Sequence, residues 1–339
     1  MNGGFEIGKQ ADDLGGRGLL VIVTGEGEGG LPGGGELREG IVHGEAAFQQ
    51  AGVRGLTLAF GQGIGDFLRR RAHDPGGHAE DHQLGIAHRI AGRFADAVGD
   101  ADLVILCVPV GAMGAVAAEI APHLKPGAVV SDVGSSKQFV ADALAAALPG
   151  VAIIPAHPVA GTERSGPDAG FASLFHNRWC IITPPADADP AQVQALADLW
   201  QAMGAKIEVM DARHHDMVLA VTSHLPHLIA YTIVGTASDL EGVTESEVIK
   251  YSAGGFRDFT RIAASDPTMW RDVFLSNRDA VLDMLQRFTE DLTALQRAIR
   301  IGDGEQLFDH FTRTRAIRRS IIEEGQDDAR PDFGRSDHG

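Results

Sequence analysis

The side chain in this sequence best suited to move a proton near neutral pH is His157, in the stretch IIPAHPVAGTERSG. It follows the apolar run 151–154 and precedes a proline, so a strand would fix its backbone while its ring reaches a cleft. Ser135, in DVGSSK, follows the preceding apolar run and would lie beside His157 if the two runs are neighbouring strands. There it can orient the imidazole or bond the same substrate group. A second group is His214-His215-Asp216 with SHLPH at 223–227, where His224 and His227 share a helix face. With no H-E-x-x-H and no cysteine near, the spacing points away from a metal. It fits either hydrogen-bonded core histidines or a cleft that contacts an anionic ligand. A third group, Arg257, Asp258 and Arg261, follows Gly254-Gly255 in GGFRDFTR. An arginine there can hold a carboxylate through paired hydrogen bonds, or simply pair with Asp258 on the surface.

These groups need elements that bring strand ends together. From residue 84 onward the chain alternates: a helix end at 94–98, a continuous apolar strand at 102–109, and an alanine-rich helix at 110–124 stopped by Lys125-Pro126-Gly127. A strand at 128–132, a helix at 136–148 and a strand at 151–154 follow. This spacing predicts βαβ units and a parallel sheet covered on both faces. Ligands of such sheets lie beyond the carboxyl ends of the strands, where Cys107-Val108-Pro109, Gly134-Ser135 and His157-Pro158 fall. A second strand-like run at 179–183 closes the His157 loop, and 184–190 is a proline-rich connector. A helix at 192–203 and a strand at 206–210 come next. Beyond them the pattern is helical: 211–238, 245–252, 267–299 with a break near Asn277, and 303–322. Ser265-Asp266-Pro267 supplies an N-cap for the helix that carries Trp270. Val281, Met284, Leu285, Phe288, Leu292, Leu295 and Ile299 recur at helical spacing, as on a core or dimer face.

Residues 1–83 are rich in glycine and hard to read. Two runs, 19–24 and 56–60, have the character of buried strands, and glycines follow each. GEGEGG at 25–30 matches G-x-G-x-x-G, but LPGGG stands where the phosphate-binding helix should begin. In LTLAFGQGIGDFLRRR, Gly61, Gly63 and Gly65 are followed by a helical pattern, with the last glycine one residue early and Asp74 as the candidate ribose acid. The other reading of the region is a glycine-rich leader.

The composition narrows the partners. A net charge of -17 over 339 residues argues against nucleic acid or an anionic membrane surface. Cys107 and Cys180 each sit in an apolar run and read as reduced core thiols, which suits a cytoplasmic location. No apolar run is read as long enough to span a bilayer.

DVGSSK at 132–137, HPVAGTERSG at 157–166, LFHNRWCIITP, SHLPH at 223–227 and GGFRDFTRIAASDPTMWRD at 254–272 together resemble the prephenate/arogenate (cyclohexadienyl) dehydrogenase family, in order and spacing, from about residue 84 to 324. The resemblance implies an α/β dinucleotide-binding (Rossmann-like) parallel-sheet domain at 84–190. An all-helical substrate and dimerisation domain at 191–324 and a disordered tail at 325–339 would follow. The implied reaction is oxidative decarboxylation of prephenate or arogenate in tyrosine biosynthesis, with hydride passing to NAD, or NADP as the other option. In the implied site His157 takes the ring hydroxyl proton and Ser135 supports it. Arg261 binds a carboxylate, and His224, His227, Thr162, Glu163 and Gly254 line the cleft with Asp258 among them. Val108 and Pro109 lie against the cofactor, and no metal takes part. The implied assembly is a homodimer through the helical domain. Residues 1–83 depart from the family pattern, as a shifted reading frame would make them do. The alternatives are a non-catalytic binding protein of the same fold that lacks a working cofactor fingerprint, and a metal-dependent hydrolase built on 214–227.

Overall fold

The computed structural model describes residues 20–24, 57–60 and 89–91 as backbone strands, and then 97–161, 174–244 and 254–323. Both glycine runs, Asp74, Thr162, Glu163, the helix expected at 245–252 and the tail lie outside the described residues. Two compact units are distinguished, Met1–Val281 and Leu282–Gly339.

The first unit is organised on a six-stranded parallel sheet of order β3-β2-β1-β4-β5-β6. Its strands are β1 (Leu20–Thr24), β2 (Thr57–Phe60), β3 (Arg89–Ala91), β4 (Leu103–Leu106), β5 (Val129–Asp132) and β6 (Ala152–Ile153). β1 is central, pairing in parallel with β2 on one side and β4 on the other. That is the order of a dinucleotide-binding sheet, whose direction of winding reverses between β1 and β4. Two short apolar runs of the glycine-rich region therefore occupy the positions such a sheet needs. β3 was not apparent in the sequence, because three residues with an arginine among them carry too little pattern.

The continuous apolar character of 102–109 has its cause in the packing of β4. Val104 and Leu106 face α1 (Met113–Ile120) and α2 (Lys137–Ala147), in a core with Met113, Ile120, Val140 and Leu144. Ile105, on the opposite face, joins the core of α3 (Pro190–Ala202), beside Trp200 and Leu196. Side chains alternate along a strand, so both faces must be apolar when both are covered. The strand expected at 151–154 divides. β6 stays in the main sheet, while β7 (Ala156–Pro158) turns into a second sheet of order β7-β8-β9. Here β8 (Trp179–Ile182) runs antiparallel to β7 and parallel to β9 (Lys206–Val209). The connection from α3 to β9 needs Gly204, at φ +91°, where a Cβ would strike the His176 ring at 2.2 Å.

A long helical run follows: α4 (Ala212–Leu219), a π-helical turn at Ala220–His224, and α5 (Leu225–Thr244). The stretch Ala212–Asp239 is long and apolar enough by composition to cross a membrane, with a mean hydropathy of 1.5. The sequence reading took 211–238 as one helix, which the structure bears out, but found no apolar run long enough to span a bilayer, and this stretch passes that measure by length and composition. Its His215, Asp216 and His224 are buried and hydrogen-bonded within the fold, as shown below. α6 (Gly254–Thr260) begins at the two glycines, a 3-10 turn spans Arg261–Ala264, and Asp266 caps α7 (Pro267–Ser276) by accepting the Met269 N–H at 2.7 Å. The break falls at Asn277 as expected, and α8 (Arg278–Ile301) follows. The second unit comprises the rest of α8 and α9 (Gly304–Glu323), joined at Gly302 with φ +73°.

Candidate active site

β7 places His157 at the edge of the second sheet with its side chain almost enclosed, 8% exposed. The backbone beneath it is held by a buried ion pair. The Lys137 ammonium donates to the Asp132 carboxylate and, at 2.6 Å, to the carbonyl of Ala156, the residue before His157. Asp132 also accepts the N–H groups of Gly134 at 2.7 Å and Ala156 at 3.3 Å. Burial pushes the Asp132 carboxyl up and the Lys137 ammonium down, and the attraction between the two charges opposes both shifts. A pair so enclosed holds its geometry, because breaking it would strand a charge away from water.

The His157 ring meets His215, with Nδ1 2.8 Å from His215 Nε2 and the ring planes 69° apart. His215 Nδ1 lies 2.9 Å from an Asp216 carboxylate oxygen. Asp216 in turn accepts the backbone N–H groups of Lys137 at 2.7 Å and Gln138 at 2.9 Å, the open donors of the α2 N-terminus. Asn277 donates from Nδ2 to the Asp216 carbonyl at 2.7 Å and approaches His224 Nδ1 at 3.1 Å. His224 is fully buried, and its Nε2 has no partner among the described residues.

The π-helical turn explains how one helix supplies His215, Asp216 and His224 to the same place. In a regular α-helix, residues eight apart diverge by about 80° around the axis. A turn closed by the Leu225 N–H on the Ala220 carbonyl absorbs about one extra residue and brings Asp216 and His224 to within about 20° of one line. Sequence spacing alone showed only the His224 and His227 pair. His227 is half-buried, donates from Nδ1 to the Ser223 carbonyl at 2.9 Å, and stacks on Trp270 at 3.6 Å between centroids. Trp270, read from the sequence as a residue of the helix and nothing more, is thus the floor beneath His227.

Burial lowers the pKa of His157, His215, His224 and His227, in each case as the largest cause. The secondary causes show which groups share the space. His224 acts on His157, while His227 acts on His224 and feels Arg261. The cluster therefore runs from the buried His157, through His224, to a more open side where Arg261 supplies positive charge. Arg261 is exposed in the 3-10 turn that follows α6, the helix that carries Gly254 and Asp258. Ser135, half-buried between β5 and α2, makes no hydrogen bond to His157 among the described residues. The neighbouring Ser136 instead accepts from the Ser276 hydroxyl at 2.8 Å.

The depressed histidine values bear on stability. Each group takes up its proton near 6.5 in the unfolded chain and only at lower pH when folded, so stability is full above about 6.5 and falls as pH drops toward the folded values. For His224, lowered to about 4, this amounts to a loss on the order of 3 kcal/mol. Urea unfolding at about pH 7 and about pH 5 checks it. The midpoint is expected to be lower at the acid pH, and an unchanged midpoint would contradict the burial of these rings.

The carboxyl end of the main sheet is also described in part. Beyond the carboxyl end of β4, next to β1, come buried Val108 and exposed Pro109, an uncharged ledge where the sheet reverses its winding. An apolar ledge at that switch point fits a dinucleotide, whose ring needs a flat, uncharged surface.

Comparison with known proteins agrees with this arrangement. Residues 63–209 match the family described as prephenate dehydrogenase, nucleotide-binding domain, and residues 211–313 match prephenate dehydrogenase, dimerization domain. Cyclohexadienyl dehydrogenase of Zymomonas mobilis is 45% identical over 256 residues, which cover 76% of this chain and 84% of that protein. Prephenate dehydrogenase of Bacillus subtilis is 34% identical over 241 residues, covering 70% of this chain and 65% of that protein. The crystal structure of prephenate dehydrogenase from A. aeolicus, in complex with hydroxyphenyl propionate and NAD+, superposes with a TM-score of 0.74 at 28% identity and covers 89% of this chain and 98% of that one.

Proposed function

The chain belongs to the prephenate dehydrogenase family, and on that premise we propose that it oxidatively decarboxylates prephenate and arogenate with NAD+ as hydride acceptor. Acceptance of both substrates is supported by the 45% identity to a cyclohexadienyl dehydrogenase, and NAD+ by the complex of the A. aeolicus protein. The observation that carries the reading is an enclosed, neutral histidine held from behind by His215 and Asp216, with its Nε2 unpartnered among the described residues.

The chemistry asks little of the protein. The substrate loses hydride from its carbinol carbon and carbon dioxide from its ring, and the aromatic product supplies the driving force. A bound nicotinamide dinucleotide accepts the hydride. His157 removes the hydroxyl proton through Nε2. Ser135, at the neighbouring strand end, bonds the same hydroxyl. Arg261 receives a substrate carboxylate, and His227 on its Trp270 floor lines the approach with Gly254 and Asp258. Thr162 and Glu163 complete that lining, and His224 supports it from within. Val108 and Pro109 hold the cofactor face. The non-catalytic alternative loses its main support, since β1 and β2, from the region that appeared incomplete, take their places in the sheet.

The protein is further proposed to act as a cytoplasmic homodimer. Two free thiols suit a reducing compartment. Leu292, Ile299, Phe308, Phe311 and Ile317 expose more than half of their surface on α8 and α9, which is more apolar area than a lone helical unit usually leaves open. Sedimentation at twice the chain mass is expected, and a monomer would contradict this part of the proposal.

Steady-state turnover of both substrates with NAD+ and NADP+ tests the reading of specificity. Growth of reduced nicotinamide with each substrate and NAD+ is expected. Ligand binding without turnover in any combination would favour the binding protein instead. Arg261→Ala is expected to lower kcat/KM about 10- to 150-fold, chiefly through KM, the worth of a charge-assisted carboxylate contact. An unchanged KM would remove Arg261 from the substrate.

A further inference from the structure

We propose that His215 and Asp216 are positioning residues that lock His157 in the tautomer whose Nε2 is bare, with the N-terminus of α2 as the fixed end of the relay. The proposal rests on the reading of His157 as the base and concerns how its proton-accepting atom is kept available.

The direction of each bond follows from counting protons. The Asp216 carboxylate is held by the N–H groups of Lys137 and Gln138 and cannot turn away. As an acceptor 2.9 Å from His215 Nδ1, it requires the proton on that nitrogen. A neutral imidazole has one N–H, so His215 Nε2 carries a lone pair and, at 2.8 Å, requires a proton on His157 Nδ1. The same count leaves His157 Nε2 without one. Reversing the relay would set a bare His215 nitrogen against the carboxylate in a buried place, two acceptors with no proton between them. The edge-on arrangement of the rings, 5.1 Å between centroids, suits an N–H aimed along a lone pair. Burial keeps both imidazoles neutral at rest.

The relay also serves the proton transfer. When His157 Nε2 takes the hydroxyl proton, its Nδ1–H bond to His215 becomes charge-assisted, and the Asp216 carboxylate lies one ring away from the new positive charge. The acceptor is in the correct state beforehand, and the charge that forms has a partner already in place.

Nitrogen NMR of histidine-labelled protein reads the tautomer without substrate or cofactor. The expected spectrum shows a protonated Nδ1 and a bare Nε2 on His157, and the opposite pattern would overturn the proposal. Two variants read the consequence in catalysis. His215→Gln keeps an amide oxygen toward His157 and an amide N–H toward Asp216, and is expected to retain kcat within about ten-fold. His215→Phe fills the space without an acceptor and is expected to lower kcat about 100-fold or more, with KM little changed. Equal kcat in the two variants would overturn the proposal. If wild-type protein turned over neither substrate, the functional reading would fail, while the NMR measurement would still decide the tautomer. The same measurement stands if His215→Phe does not fold.

Discussion

His157→Asn is expected to lower kcat about 100- to 10,000-fold while leaving KM within a few-fold, because it removes the proton acceptor and little of the substrate contact. Asparagine keeps a side-chain donor near His215, so the relay behind it is only partly disturbed. The pH profile of the wild type gives a second reading of the same group. Burial, and then the charges of His215, Lys137 and His224, hold the His157 pKa well below 6.5. The base is therefore unprotonated at 6.5, and kcat/KM is expected to stay level as pH falls through that value, then decline as pH passes through the lowered pKa. An acid limb centred at or above 6.5 would mean that the ring is not enclosed as described. Loss of less than about ten-fold in His157→Asn would remove the residue from the base role altogether.

The second large effect lies beneath the site. Lys137→Met is expected to cost about 3–5 kcal/mol of stability, since it leaves the Asp132 carboxylate buried without its ammonium partner. Adding Asp132→Leu is expected to recover part of that loss, because an apolar pair of similar volume avoids the cost of enclosing charge. Recovery would be incomplete, as the Gly134 and Ala156 N–H groups would lose their acceptor. Urea unfolding of the single and double variants measures both terms. A loss below about 1 kcal/mol in Lys137→Met would show that water reaches the pair. The pair matters to function because Ala156, which Lys137 holds, is the residue before His157.

Much of this was legible from the sequence. The continuous apolar run around β4 and the alternation that follows it fixed the parallel sheet, since a strand covered on both faces has no polar positions to interrupt it. His157 stood out through its neighbours: a histidine at a strand end is by itself more often structural, but Ser135 follows the preceding strand and the HPVAGTERSG motif surrounds it. The histidines of SHLPH were visible through their helical spacing. Three things were not legible. The relay through His215 and Asp216 was present only as adjacent letters, because its geometry depends on a π-helical turn, and such a turn has no sequence signal strong enough to read. The small second sheet was hidden by β7, whose three residues look like a continuation of β6. The buried Lys137–Asp132 pair was missed because charged residues are read by default as solvated. The helix Ala212–Asp239 was legible at nearly its full length, as 211–238, but its polar residues were not seen to be buried and hydrogen-bonded together.

The most direct test is turnover by the wild-type protein, following reduced nicotinamide and carbon dioxide together from prephenate and NAD+. The two are expected in equal amounts, alongside an aromatic product, with only a trace of either from His157→Asn. Folded protein that released neither from prephenate or from arogenate would contradict the assignment.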